Sequence, residues 1–273
     1  MTHCVLSQRS QSFYHVSRMA RTILFILFWA LCCTCHAAYQ SFTRLNKQPG
    51  LWGLLANNEQ IDAYFFQSST HSIVILDEGD TAPRYGSLAH SMKANHCVAG
   101  INGGYFAADA QRTPLGLIKH QKKTHHKLAS GAFTVAGVLY DTGRTIKLER
   151  STDLSTPVDA MKEAIQGGPF LVEKGRIIQG LDNKKLARRT FVATDGQGGW
   201  CIAVTTPITL RKLASWLTQP QALGNFKVSA ALNMDGGTST AIWIASPHLY
   251  RAPFKVVRNY IGVTPRNYAA SKK

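Results

Sequence analysis

The 273-residue sequence predicts an α+β fold, a mixed and mostly antiparallel sheet with a few packed helices in a single domain. Three observations point that way. Apolar runs of strand length recur along the chain without strict alternation with helices. Asp141-Thr142-Gly143 and Lys174-Gly175 supply hairpin turns between such runs. Only two or three segments space their apolar residues as a helix does. An apolar content of 45% with 17% charged residues describes a globular chain with ample core. No repeat of solenoid period and no long low-complexity segment is present.

The first residues read as a targeting segment rather than as fold. Thr22 to Cys33 is an apolar run too short to span a bilayer comfortably, preceded by Arg18 and Arg21. Small residues follow at Cys35-His36-Ala37. The pattern is that of a secretory signal peptide over 1–37, cut after Ala37, with an uncleaved anchor as the alternative. Residues 38–60 read as a linker, 61–266 as the domain and 267–273 as a basic tail. Removal of 1–37 leaves 28 basic and 15 acidic residues, a net charge of +13. Such a charge favours anionic partners, and export to periplasm or medium argues against nucleic acid. No transmembrane segment remains after cleavage. Cys97 and Cys201 then stand alone, either as a disulfide or as two buried thiols.

In chain order, Ile61–Phe66 and Ser72–Leu76 read as strands and Gly86–Asn95 as a helix feeding a strand that ends at Asn102. Thr113–Ile118 turns into a short strand. Lys119 to Lys127 holds four Lys and three His without an acidic partner in register, a solvated basic loop or hairpin tip. Ala132–Tyr140 and Thr145–Leu148 read as a hairpin, Val158–Ile165 as a helix, and Phe170–Val172 with Ile177–Ile178 as a second hairpin. Arg188–Thr194 and Trp200–Thr205 read as strands. Thr209 is a suitable N-cap for a helix over Leu210–Leu217, whose Leu210, Leu213, Ala214 and Leu217 share one face. Val228–Leu232 closes the series as a buried strand.

The chemistry-bearing residues gather at glycine pairs. The last strand ends in Asn233-Met234-Asp235-Gly236-Gly237, followed by the hydroxyls of Thr238, Ser239 and Thr240. Strand alternation puts Asn233 and Asp235 on one face. Taken alone, Asp-Gly before the apolar run Ala241–Ala245 is a hairpin signal. Asn102-Gly103-Gly104-Tyr105 repeats the arrangement, however, and Gly167-Gly168 supplies a third pair. Three such pairs imply one shared polar cleft.

Six landmarks occur in order: Asn102–Phe106, Gln166–Phe170, Arg189-Thr190, the Thr209-capped helix, Asn233–Ser239 and Arg258–Val263. Together they resemble the phosphodiester glycosidase family across residues 61–264. Thr238 departs from the third glycine common there. The resemblance implies a single catalytic domain hydrolysing a sugar linked through phosphate, while the substrate does not carry over with the fold.

Independent chemistry agrees with one carboxylate. Ordinary glycosidases need a second to protonate an alkoxide leaving group, whereas a phosphate ester leaves as a stable anion. Asp235, Asn102 and Arg189 are the candidate catalytic set, with Arg189 as a bidentate phosphate clamp. Gly103, Gly104, Tyr105, Gly167, Gly168, Asn233, Gly236, Gly237 and Ser239 are the candidate substrate-binding set, the Gly103-Gly104 and Gly236-Gly237 amides forming an anion nest. The alternative use of Asp235 and the asparagines is a Ca²⁺ or Mg²⁺ site. The expected partner is a phosphate-bearing envelope glycan. A non-catalytic module for anionic cell-surface polysaccharide is the second class. A phosphorus-attacking nuclease, which needs a metal cluster or a histidine nucleophile, is the third.

Overall fold

The computed structural model describes residues 51–56, 59–79, 86–220 and 222–266. The predicted signal peptide, the basic tail and the part of the linker before Leu51 lie outside them. Strands β1 (Leu51–Ala56), β2 (Glu59–Gln67) and β3 (His71–Asp77) open the fold, and helix α1 (Leu88–Ala94) leads into β4 (Ala99–Asn102). Five strands follow: β5 (Ile118–His120), β6 (Lys123–His126), β7 (Gly137–Asp141), β8 (Ile146–Arg150) and β9 (Glu163–Gly167). Next come β10 (Phe170–Glu173), β11 (Arg176–Ile177), β12 (Thr190–Thr194) and β13 (Gly199–Thr205). Helix α2 (Leu210–Leu217), β14 (Ala230–Asn233), β15 (Ile242–Ile244), β16 (Leu249–Arg251) and β17 (Asn259–Pro265) complete the chain.

The strands form three sheets, ordered β1-β2-β13-β12-β14-β10-β11, β16-β15-β4-β17-β3 and β6-β5-β9-β7-β8. Every pairing is antiparallel. Sheet dominates, with two α-helices among the described residues. The expected mixed character is therefore weighted towards β. Both faces of β12 and β13, inside the seven-stranded sheet, are buried, which is why their sequences are predominantly apolar. Val192, Trp200, Ile202 and Val204 enter the core shared by the three sheets. Alternating with them, Phe191, Ala193, Cys201 and Ala203 pack on Leu210, Leu213, Ala214 and Leu217 of α2. Thr209 caps α2 as expected, its hydroxyl accepting from Lys212 N at 3.2 Å.

Four expectations fail on long-range contacts. Leu51–Ala56, inside the predicted linker, pairs with β2. The segment read as a helix over Val158–Ile165 forms one 3-10 turn, Val158–Ala160, and then strand β9. Glu163 holds it extended, accepting from Ile75 N at 2.9 Å and Gln121 N at 3.1 Å. Ala132–Tyr140 likewise begins as a 3-10 turn, Phe133–Val135, before β7. The basic segment is a hairpin tip turning at Gln121 and Lys122, both with positive φ, but Lys119 is not solvated. Its buried ammonium donates to Val158 O at 2.7 Å and Asp159 O at 3.2 Å.

Cys97 and Cys201 are free buried thiols in separate clusters, one beside α1 and one under α2. Burial pushes Cys97 up to about 12 and raises Cys201 as well.

Candidate active site

The hairpin that Asp235-Gly236 taken alone would signal does not form. Strand β14 lies between β12 and β10, while β15 pairs with β4 and β16 in another sheet. Asp235 to Thr240 is therefore a crossover between sheets, with Gly237–Ser239 as a 3-10 turn. Gly237 there has φ of +62°, a conformation glycine adopts without strain.

The three glycine pairs meet at this crossover. A Cβ on Gly104 would lie 2.5 Å from Gln166 O, and one on Gly167 would lie 2.6 Å from Met234 Sδ. On Gly236 it would stand 2.8 Å from Arg188 O, and on Gly103 it would collide with Asn259 Oδ1. These glycines permit close approach of neighbouring chain segments, and of the amides expected to form an anion nest those of Gly103, Gly236 and Gly237 are bonded within the protein. Gly103 N donates to Asn259 O at 2.9 Å and Gly237 N to Arg188 O at 2.8 Å. Gly236 N donates to the adjacent Asp235 carboxylate at 2.9 Å. Gly168 N donates to Asn233 O at 2.7 Å.

Asn102 is fully buried and its amide is engaged by protein. Nδ2 donates to Asp235 O at 2.7 Å, while Oδ1 accepts from Thr190 Oγ1 at 2.7 Å and Ala241 N at 3.0 Å. It ties β4, β12 and the crossover together, so its geometry is that of a positioning residue, not of one that touches substrate. Arg189 also differs from the bidentate clamp expected of it. Nε donates to Ile208 O at 3.0 Å and Nη2 to Lys185 O at 2.7 Å, which occupies that edge of the guanidinium. Burial lowers its pKa, partly offset by Tyr105 and Asp182.

Asn233 and Tyr105 are brought together. Asn233 Nδ2 donates to Tyr105 Oη at 2.7 Å, Gly168 O at 3.1 Å and Met234 O at 2.8 Å, and Tyr105 Oη donates to Gly168 O at 3.0 Å. Among the described residues Asn233 Oδ1 is buried without a partner. Burial raises the Tyr105 phenol strongly, with Asp235 adding to the effect and Arg189 opposing it. Asp235 itself is half-buried, and desolvation lifts its carboxyl above the ordinary value. The nearby Ser239 hydroxyl, Lys255 and Gly236 N–H pull the other way. Ser239 Oγ is buried but makes no hydrogen bond of good geometry.

Two contributors escaped the sequence reading. Lys255 lies over the Phe106 ring, 4.7 Å from its centroid, and faces Asp235 electrostatically. Arg188 donates from Nη2 to Thr240 O at 2.6 Å, bracing the crossover. Neither sits in a motif, though an Arg beside Arg189 was a usable signal. No group of three or more His, Cys, Asp or Glu side chains is placed to hold a metal among the described residues. Asn102 Oδ1 is already doubly engaged, which leaves Asp235 and Asn233 Oδ1 as oxygen donors for a cation.

Among solved structures, the chain is similar to the catalytic domain of zebrafish N-acetylglucosamine-1-phosphodiester alpha-N-acetylglucosaminidase, auto-inhibited by its pro-peptide. Identity is 16% and the TM-score 0.56, covering 85% of this chain and 90% of that one. A hypothetical protein from Synechocystis is similar at 16% identity and a TM-score of 0.53, covering 83% of this chain and 64% of that one. No curated protein matches. At such identities these likenesses speak for the fold. The phosphodiester glycosidase family model matches residues 95–264, which contain all three glycine pairs, and the chain belongs to that family.

Proposed function

We propose that the protein is an exported hydrolase that cleaves a glycosyl phosphodiester in an envelope glycan, with Asp235 as general base. The observation that carries this reading is the half-buried Asp235 carboxylate at the crossover, raised in pKa and flanked by Tyr105, Asn233 and Lys255. A raised carboxylate accepts a proton more readily, the property a base needs. Asp235 takes a proton from water, and the water oxygen bonds to the anomeric carbon. The bond from that carbon to the phosphate oxygen breaks, and the phosphate monoester departs with the electron pair. That leaving group needs no second carboxylate to protonate it. Lys255, whose charge acts on Asp235, is close enough to the carboxylate to face the departing anion.

Hydrolysis in ¹⁸O-labelled water tests this, with sugar-1-phosphodiesters as substrates and nitrophenyl phosphodiesters as controls. Label is expected in the sugar. Label in the phosphate would overturn attack at carbon, and saturable binding of anionic polysaccharide without turnover would favour the binding-module reading. The mature chain is expected to begin near Ala38, as N-terminal sequencing of exported protein would read.

A further inference from the structure

The described residues leave six large apolar side chains exposed: Leu115, Leu128, Phe133, Leu186, Phe254 and Val256. Each belongs to a loop joined to the Asp235 site. Leu115 N donates to Tyr105 O at 2.9 Å, and Phe254 N donates to Thr238 O at 2.7 Å. Phe133 O lies so near Gly168 that a Cβ there would collide with it. Leu128 precedes Ala129, whose N–H and carbonyl both bond the Gln166 side chain at 2.9 Å. Leu186 follows Lys185, whose carbonyl accepts from Arg189 at 2.7 Å. Val256 follows Lys255, the cation that acts on Asp235. Single exposed apolar residues are ordinary on a protein surface, but their confinement to the loops around one site is not. Phe254, Phe133 and Leu186 are 77%, 67% and 66% exposed, and a cleft of about 540 Å³, lined by Arg188 and Arg251, opens beside Phe254.

The same loops, over 107–116, 127–136, 182–189 and 251–258, are basic. Lys127, Lys184, Lys185 and Lys255 are exposed beside these side chains. Asp109 and Asp182 are the acids of the four loops, and both are engaged by backbone amides. Asp109 accepts from Thr113 N at 2.9 Å, and Asp182 from Lys184 N at 2.8 Å and Lys185 N at 3.2 Å. A protein partner selects aromatic and Arg side chains and disfavours Lys. An anionic lipid surface takes both kinds: apolar side chains enter its interfacial layer while Lys meets the headgroup charge. We propose that this rim docks on an anionic phospholipid surface, with Phe133, Leu186 and Phe254 entering the headgroup region and the Asp235 turn held at the membrane. The docking does not depend on turnover.

The test uses the chain lacking residues 1–37, whose apolar run would bind lipid by itself. Co-sedimentation with vesicles of phosphatidylcholine alone is compared with vesicles that also contain phosphatidylglycerol. Saturable binding to the anionic vesicles is expected, at least tenfold tighter than to the neutral ones. Paired Phe133→Ser and Phe254→Ser substitutions, and separately Lys184→Glu with Lys185→Glu, should each weaken it about tenfold or more. All four side chains are exposed, so these variants spare the core. Because Cys97 and Cys201 are buried, a Phe254→Cys variant takes an environment-sensitive dye at one place. Its emission should shift to the blue on anionic vesicles, while the same dye on Arg144→Cys, outside the four loops, should not respond. Asp235→Asn should bind as wild type does, so loss of hydrolysis and loss of docking are separate results. Wild-type affinity in the paired Ser variant, or an equal response from both dyes, would reduce the binding to bulk charge and overturn the rim. Absence of vesicle binding would overturn it outright.

Discussion

Asn233 Nδ2 donates to Tyr105 Oη at 2.7 Å, joining residues 128 positions apart, one at the end of β14 and one in the loop that follows β4. The bond places a phenol from the first glycine pair against the strand end that carries Asp235, and Gly168 O accepts from both partners. Three glycine pairs thereby become one polar surface. Its behaviour under substitution follows from which of these bonds are lost.

Tyr105→Phe removes one hydroxyl that both donates and accepts. Asn233 retains Gly168 O and Met234 O as acceptors, so folding survives with a loss of about 1 kcal/mol. A roughly tenfold fall in kcat/KM is expected, because Asn233 loses one of the groups that fix its amide. Unchanged kinetics would remove Tyr105 from the site.

For Asp235 the sign of the pH dependence is defined by its raised pKa. The folded chain holds that proton more tightly than the unfolded chain does. Its contribution to stability therefore falls as pH rises from the unfolded value, about 4, through the folded one. Asp235→Asn removes that dependence. Urea denaturation should find the variant at least as stable as wild type at pH 7, with the difference closing below about pH 4. Activity should drop about a hundredfold or more. An Asn variant less stable at pH 7, or fully active, contradicts the assignment.

Arg189→Lys keeps the charge but cannot bridge Ile208 O and Lys185 O together. Expected losses are about 2 kcal/mol of stability and about tenfold in kcat/KM. If stability falls while kcat/KM holds, Arg189 serves the fold alone.

A chain lacking residues 1–37 should present no thiol to Ellman's reagent while folded and two after unfolding, since Cys97 and Cys201 are buried and unpaired. Burial disfavours the thiolate that would react. Two titratable thiols in the native protein would contradict the packing around α1 and α2.

Local chemistry was legible wherever the deciding interactions are near in sequence. The face of α2 and its Thr209 cap depend on residues within four positions, so spacing alone places them. The β10–β11 and β7–β8 hairpins follow from Gly143 and Gly175, and the glycine pairs announced a meeting of strand ends. Tertiary structure decided what remote partners control. Val158 to Ile165 reads locally as a helix, yet Glu163 and the adjacent Gln166 are held extended by amides from Ile75, Leu117 and Ala129. Asp235-Gly236 has hairpin chemistry, yet Leu232 pairs with Val192 while Ile242 pairs with Ile101. Arg189 carries the motif, yet its guanidinium holds two carbonyls and Arg188 faces the open cleft. Residue type and spacing name the groups that can do chemistry. Which of them are already engaged depends on backbone donors and acceptors far along the chain, and those are assigned only when the three sheets pack.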